Sequence, residues 1–370
     1  MDESLLYWFW LGALSGLNTK RANMLIEAFG GPFEVWQAKD SDIKALEFMN
    51  PQSVDQVMNA TVRNNVGEKL NAIQEQGIEV VSIASSMYPE ALKHIYDPPL
   101  VLFKRGTSNV DMNKTIAIVG TRHPTHYGLS VTQKLTRELI AFGYTVVSGM
   151  AMGIDAIAHT QAIASNGKTI AVLGSGIDKP YPASNRKLMT EIMDHGIVFS
   201  EFLPGTPPLQ QNFPKRNRII SGISMAVLVI EAGKQSGSLI TAGFAGEQGR
   251  DVFAVPGSIY SPMSVGTNHL IRDGAIVATS VEDILESLNP FLLERELNEI
   301  PNQHEVPMGE EERCIVALLK REGPMDMNAI LKNCGLSHGT AASTLVSLEL
   351  RGILNLMPGT IYQLADRIIT

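Results

Sequence analysis

Residues 115 to 174 read TIAIVGTRHPTHYGLSVTQKLTRELIAFGYTVVSGMAMGIDAIAHTQAIASNGKTIAVLG. Three short apolar runs, TIAIVG (115 to 120), YTVVSG (144 to 149) and TIAVLG (169 to 174), end in glycine or small polar residues, and helical patterns separate them. Continuous apolar runs predict strands buried on both faces, and intervening helices predict that the strands are parallel. The same grammar continues through IVFSE (197 to 201), AVLVIEA (226 to 232), VFAVPG (252 to 257) and AIVAT (275 to 279). The expected fold class is α/β, a Rossmann-like, doubly wound, mostly parallel sheet.

In such sheets ligands lie beyond the carboxyl ends of the strands, where helix N-termini and loop amides point outward. The unusual residues fall there. Gly120-Thr121-Arg122 follows the first run, Gly149 to Asp155 with Gly153 the second, and Gly174-Ser175-Gly176 the third. After AVLVIEA, Ser236-Gly237-Ser238 opens another helical stretch. These amide-rich turns predict a long anion-binding rim.

The flanks differ. A chain of 370 residues implies two or three domains. Residues 1–85 read as helical, with LSGLNTKRANMLIEAFGG resembling a helix-hairpin-helix or SAM-like unit. Its turn is Gly16-Leu17-Asn18 where nucleic-acid-binding hairpins have Gly-x-Gly, and the segment is acidic, so packing or protein contact is preferred to DNA binding. The extended sheet domain is assigned to 86–288. Residues 289–309 are polar, acidic and proline-punctuated, a linker. Residues 310–370 give helix, helix-turn-helix and a two-stranded wing, a winged-helix pattern. Its candidate recognition helix, Ser337 to Arg351, has no Lys and only Arg351 near its end, which argues against reading duplex DNA. The apolar LLYWFWLGAL near the start is about half the ~20 residues that a membrane span needs. Without a targeting segment, and with Cys314 and Cys334 in no CxxC or Cys/His spacing, a cytoplasmic protein without a metal site or cofactor is expected.

Within this chain of formal net charge −8 stands NFPKRNRIISG (212 to 222), with three cations in four positions. Residues 107 to 286 carry 14 basic and 14 acidic side chains, the one segment without an acidic excess. Three readings compete. Charge runs are usually solvated faces, yet helix starts favour acidic residues by about 0.3 to 1 kcal/mol each, so cations there call for an outside anion. A nucleotide enzyme lacks its chemistry: no GxGxxG follows the first strand and no P-loop occurs. Asp155 and His159 share a helix face and are read as a helix-start acid and a packed ring rather than an acid/base pair. His123, His126 and His195 are assigned nothing. Single-stranded nucleic acid needs cations for successive phosphates and flat rings for bases. Phe213, held by Pro214 beside Lys215, Arg216, Asn217 and Arg218, supplies both, unless it is an ordinary core ring. Arg122, Lys168 and the amides of Ser236 to Ser238 extend the same rim.

Taken together, GTRxPTxYG (120 to 128), SGMAMGIDAIAH (148 to 159), TIAVLGSGIDKPYPxxN (169 to 185), FSE (199 to 201), FPKRNRIISG (213 to 222), EAGKQSGSLITA (231 to 242) and DVFAVPG (251 to 257) resemble the DNA processing protein A family, also called DprA or Smf. YPEALKHIYDPPLVLFKRG (88 to 106) and both flanks share that likeness. The resemblance implies a non-enzymatic protein that binds and protects single-stranded DNA and loads RecA recombinase during natural transformation. It implies phosphate contacts from Arg122, Ser236, Gly237 and Ser238, base stacking on Phe213, and Arg216 and Arg218 lining the pocket. A homodimer through an edge of the sheet domain, near Gly266 to Val277, also rests on the resemblance. Where family members often carry a lysine three residues before the phenylalanine, this chain has Gln210, and Lys215 replaces that charge or affinity is lower. The alternative is a phosphoribohydrolase-type nucleotide enzyme, whose PGGxGT loop is here EAGKQSGSLITA.

Overall fold

The computed structural model describes residues 3–14, 17, 19–107, 109–288, 308–351, 353–357 and 360–364. Gly16, Asn18 and residues 289–307 of the expected linker lie outside the described residues. The chain divides into two compact units, 1–293 and 294–370.

The first unit begins with helices α1 (Glu3–Gly12), α2 (Thr19–Phe29), α3 (Pro32–Gln37), α4 (Asp40–Lys44), α5 (Pro51–Met58) and α6 (Ala60–Glu75). LLYWFWLGAL is part of α1 and the turn after it, and its Phe9 and Trp10 are buried. Trp10 packs edge-on against Trp36, with ring centroids 4.9 Å apart, and the Arg63 guanidinium lies 5.1 Å and 5.0 Å from the two ring centroids.

Strands and helices then alternate: β1 (Glu79–Ser82), β2 (Val101–Gly106), β3 (Thr115–Val119), α7 (His126–Ala141), β4 (Thr145–Ser148), α8 (Ile154–Ala164), β5 (Thr169–Leu173), α9 (Arg186–His195), β6 (Ile197–Ser200), α10 (Asn212–Ile223), β7 (Ala226–Val229), α11 (Gly237–Glu247), β8 (Asp251–Ala254), α12 (Val265–Arg272), β9 (Ile276–Val277) and α13 (Val281–Leu288). The nine strands pair in the order β1-β2-β6-β5-β4-β3-β7-β8-β9. All seven apolar runs read from the sequence are strands, parallel from β6 to β9 across the sheet. The sequence reading did not foresee β1 and β2, which extend the β6 edge antiparallel; there Lys104 Nζ meets Glu79 Oε1 at 3.0 Å across the pair.

Side chains alternate between the two faces of the sheet. Ile116 and Ile118 of β3 join a core with Leu135 and Leu139 of α7 and Ile154 and Ala158 of α8. Ala117 and Val119 join the core that holds Ile219, Ile220 and Ile223 of α10 with Ala242 and Ala245 of α11. The sheet is therefore covered on both faces, with α7 and α8 on one and α10 and α11 on the other. The strand order reverses between β3 and β7, so a crevice is expected beyond Val119 and Val229.

The second unit contains α14 (Glu310–Glu322), β10 (Met325–Asp326), α15 (Met327–Cys334), α16 (His338–Leu350), β11 (Leu354–Met357) and β12 (Ile361–Leu364), its strands pairing in the order β10-β12-β11. Ile315, Leu319, Ile330, Leu345 and Leu348 form its core. Arg351, just past α16, is tied to Glu312 with Nη1 2.8 Å from both carboxylate oxygens.

Candidate nucleic-acid interface

The crevice at the β3/β7 reversal is closed by the protein itself. The buried Glu231 carboxylate accepts from the Thr125 amide at 2.9 Å and the Thr125 hydroxyl at 2.6 Å, at the start of α7. The open site lies beside it, over the ends of β3, β4 and β5. A pocket of about 290 Å³ is lined there by Arg122, Gly149, Ala151, Met152, Tyr181, Pro182, Phe213 and Arg216.

Arg216 organises this pocket. It projects from α10, only 5% exposed, toward the carboxyl ends of β4 and β5. Its Nη1 donates to the Gly149 carbonyl at 2.6 Å and to the Val172 carbonyl, and its Nε donates to Asn217 Oδ1 at 3.2 Å. Nη2 lies against Gly149, where a Cβ would come within 2.6 Å of it. Among the described residues Nη2 has no acceptor. Burial, with the charge of Arg122 adding to it and Asp155 opposing it, brings the Arg216 pKa down to about 10, which leaves it cationic at neutral pH. Arg122 itself is exposed. Two guanidinium groups thus share one small pocket, an arrangement that favours an anion between them.

Gly174 lets Phe213 in: a Cβ there would come within 2.8 Å of the ring's Cδ1. Phe213 is half-buried on the second residue of α10, a helix with no acidic residue in its first turn. Lys215 is exposed. Asn217 is buried, and its Nδ2 donates to the Gly237 carbonyl at 3.2 Å, fixing α10 against the start of α11. There Ser236 caps α11 and its hydroxyl lies 2.8 Å from that of the buried Ser238.

Three groups expected at the rim have other surroundings in the structure. Arg218 does have internal counter-ions: it pairs with Glu201 at the end of β6 and with Asp97, whose Oδ2 is 3.5 Å from Nε. At 8% exposed it lies two residues past Arg216, and its buried charge is met by these two carboxylates. Lys168 precedes β5, so it stands at the amino edge of the sheet, about 15 Å from the rim along a five-residue strand. The loop amides are largely spent internally. Asp155 Oδ2 takes those of Gly149 at 3.2 Å and Ala151 at 3.3 Å, Thr121 donates to the Glu231 carbonyl and Gly176 to the Thr206 carbonyl. Gly120 serves packing, with a Cβ there 2.6 Å from Ile154 Cγ1. Gly153, at φ +78°, provides the left-handed residue that turns the chain into α8. The rim therefore offers side-chain cations more than amides.

Residues missed from the sequence complete the site. Tyr181 and Met152 line the pocket, and Asn185 Nδ2 holds the loop above β4 by donating to the Met150 carbonyl at 3.0 Å. The signal for Tyr181 and Asn185 was present in PYPxxN (180 to 185), whose ring, prolines and amide follow β5 at the ligand edge, whereas Met152 lies in the turn after β4.

The family described as DNA recombination-mediator protein A matches residues 79–289, which hold the sheet and every pocket residue. The chain belongs to this family. It is 42% identical over 261 residues to the DNA processing protein DprA of Bacillus subtilis, covering 68% of this chain and 88% of that one. The X-ray structure of DNA processing protein A from Streptococcus pneumoniae superposes with a TM-score of 0.67 at 36% identity, covering 76% of this chain and 96% of the other. A Helicobacter pylori DNA processing protein A, solved to describe its single-stranded DNA binding mode, gives a TM-score of 0.52 at 30% identity, covering 59% and 96%.

Beneath the pocket, His159 is fully enclosed, its Nδ1 2.7 Å from Thr169 Oγ1. Burial first, and the charge of Arg216 second, push its pKa down to about 3. The unfolded chain binds a proton near pH 6.5 that the folded chain refuses, so stability from neutral His159 is complete above that pH and falls toward pH 3. The slope is roughly 1.4 kcal/mol per pH unit. Asp155, raised by burial, acts in the opposite direction. His159→Gln is expected to flatten the fall in urea midpoint between pH 6.5 and 4 relative to the parent; equal slopes would refute the assignment.

Proposed function

We propose that the pocket at the carboxyl edge binds single-stranded DNA through phosphates and stacked bases, without strong sequence preference. The observation that carries this reading is that Arg122, Lys215 and Arg216 have no ion-pair partner among the described residues, while Arg218 has two. Charges without an ion-pair partner beside an aromatic pair whose Tyr181 is exposed suit a polyanion with unpaired bases. The Helicobacter pylori relative supports the same ligand. A base in a duplex hides its face, so single strands are preferred.

The acid/base candidates support a binding role rather than turnover, since Asp155 is committed to two loop amides and His159 is enclosed. In line with the family's description as a recombination mediator, the bound strand is protected and handed to RecA recombinase in natural transformation. Slower RecA assembly on oligonucleotides with Arg122→Ala than with the parent would be the sign of that step. We read 1–85 as a SAM-like domain, 86–288 as the binding domain and 310–370 as a winged helix used for protein contact. The absence of Lys and Arg from α16 supports that last assignment. Among the described residues no helix is long and apolar enough to cross a membrane; a cytoplasmic setting fits the proposed DNA partner.

The proposed homodimer uses the β9 edge, where Ile276 and Val277 are exposed on a terminal strand, a position open to pairing with a second copy. Val277→Lys is expected to shift sedimentation toward the monomer; an unchanged profile would remove this edge from the interface.

With three cations engaged, the log affinity for oligothymidylate should fall against log salt with a slope of about −2, and Arg122→Ala should reduce that slope by about 0.7. Lys168→Ala should change neither slope nor affinity. A flat salt response of the parent would sink the reading.

A further inference from the structure

Phe213 is the ring that the sequence singles out, but the protein covers much of it. One edge rests on the Gly174 backbone, and Tyr181 stands against it with ring centroids 5.4 Å apart and planes inclined by 49°. Phe213 is half-buried, whereas Tyr181 is 43% exposed. Tyr181 comes from the turn after β5, and Pro182 beside it restricts its backbone. A ring that is half solvated, backed by a second ring and set among two guanidinium groups has the composition of a base-binding surface. Packing alone would bury it.

We propose that Tyr181 presents the stacking face for one unpaired nucleobase, that Phe213 is the ring supporting it from behind, and that the base's phosphate lies toward Arg122 and Arg216. This deepens the single-stranded DNA reading and rests on it. Going outward, Gly174 meets the edge of Phe213, Tyr181 leans on Phe213 with the planes inclined by 49°, and the base lies on the solvent side of Tyr181. Among the rings that line the pocket only Tyr181 is exposed, which suits one base rather than a stack of several. Tyr181 serves because it is aromatic, and its hydroxyl is not required. Gly174 is required because any side chain there would push both rings outward.

The test is a cycle between protein and ligand with the full-length chain. Affinities are measured by fluorescence anisotropy for an oligothymidylate and for an oligomer of equal length and charge built of abasic sites. The parent and Tyr181→Phe are expected to prefer the base-bearing oligomer by tenfold or more. Tyr181→Ala and Tyr181→Leu are expected to lose roughly tenfold to a hundredfold on oligothymidylate, the value of one stacked base, and little on the abasic oligomer. Their salt slopes should equal the parent's, because no charge is removed. Circular dichroism melts establish that the exposed substitution leaves the fold intact. Equal base preference in the parent and Tyr181→Ala, with salt-dependent binding retained, overturns the Tyr181 assignment and spares the DNA reading. Salt-independent binding by the parent overturns both.

Discussion

The carboxyl edge of this sheet depends on one buried cation. Arg216 reaches from α10 across two strand ends and donates through Nη1 to the carbonyls of Gly149 and Val172. Those carbonyls cannot neutralise it, and the nearest acid, Asp155, is already shared with two amides. A guanidinium held by neutral acceptors keeps its charge while losing its water, a costly state in the free protein. An anion that enters the pocket recovers part of that cost, because its attraction acts in a medium less polar than water.

The rest of α10 is arranged so that this cation points one way. Two residues on, Arg218 is locked by Glu201 from β6 and Asp97 from the segment before β2, and Asn217 between them joins α11 through the Gly237 carbonyl. Adjacent residues of one basic run therefore have different tasks. Arg218 anchors the helix, Arg216 polarises the pocket, and Lys215 stays in solvent. The glycines follow the same logic. Gly149 and Gly174 give space to a guanidinium and a phenyl ring, which must come near the backbone to be held at the sheet edge. Asn185 pins the loop above Gly149 from the other side.

The sheet was legible because its central strands, β3 to β7, are continuous apolar runs bounded by small residues and buried along their length. The β1–β2 extension was harder to read: β2 contains Lys104 and Arg105, and its buried cation pairs with Glu79 on the neighbouring strand. The site was legible in type but not in detail. Spacing placed Arg122, Phe213 and Arg216 near one edge, and the structure brings them into one pocket. Spacing could not tell Arg216 from Arg218, because their difference arises from Glu201 and Asp97, 15 and more residues away in the chain. Lys168, one residue before β5, stands at the opposite end of that strand from Gly174. Tyr181 was missed because its ring belongs to the site only once the turn after β5 folds back onto α10.

The central claim is that uncompensated cations around an aromatic pair form a seat for an unpaired strand. A crystal structure of the full-length chain with a short oligothymidylate tests it most directly. The account predicts a phosphate oxygen about 3 Å from Arg122 and from Arg216 Nη2, with Arg218 still paired to Glu201. A strand bound along the amino edge near Lys168, or on the second unit with the pocket empty, would contradict it.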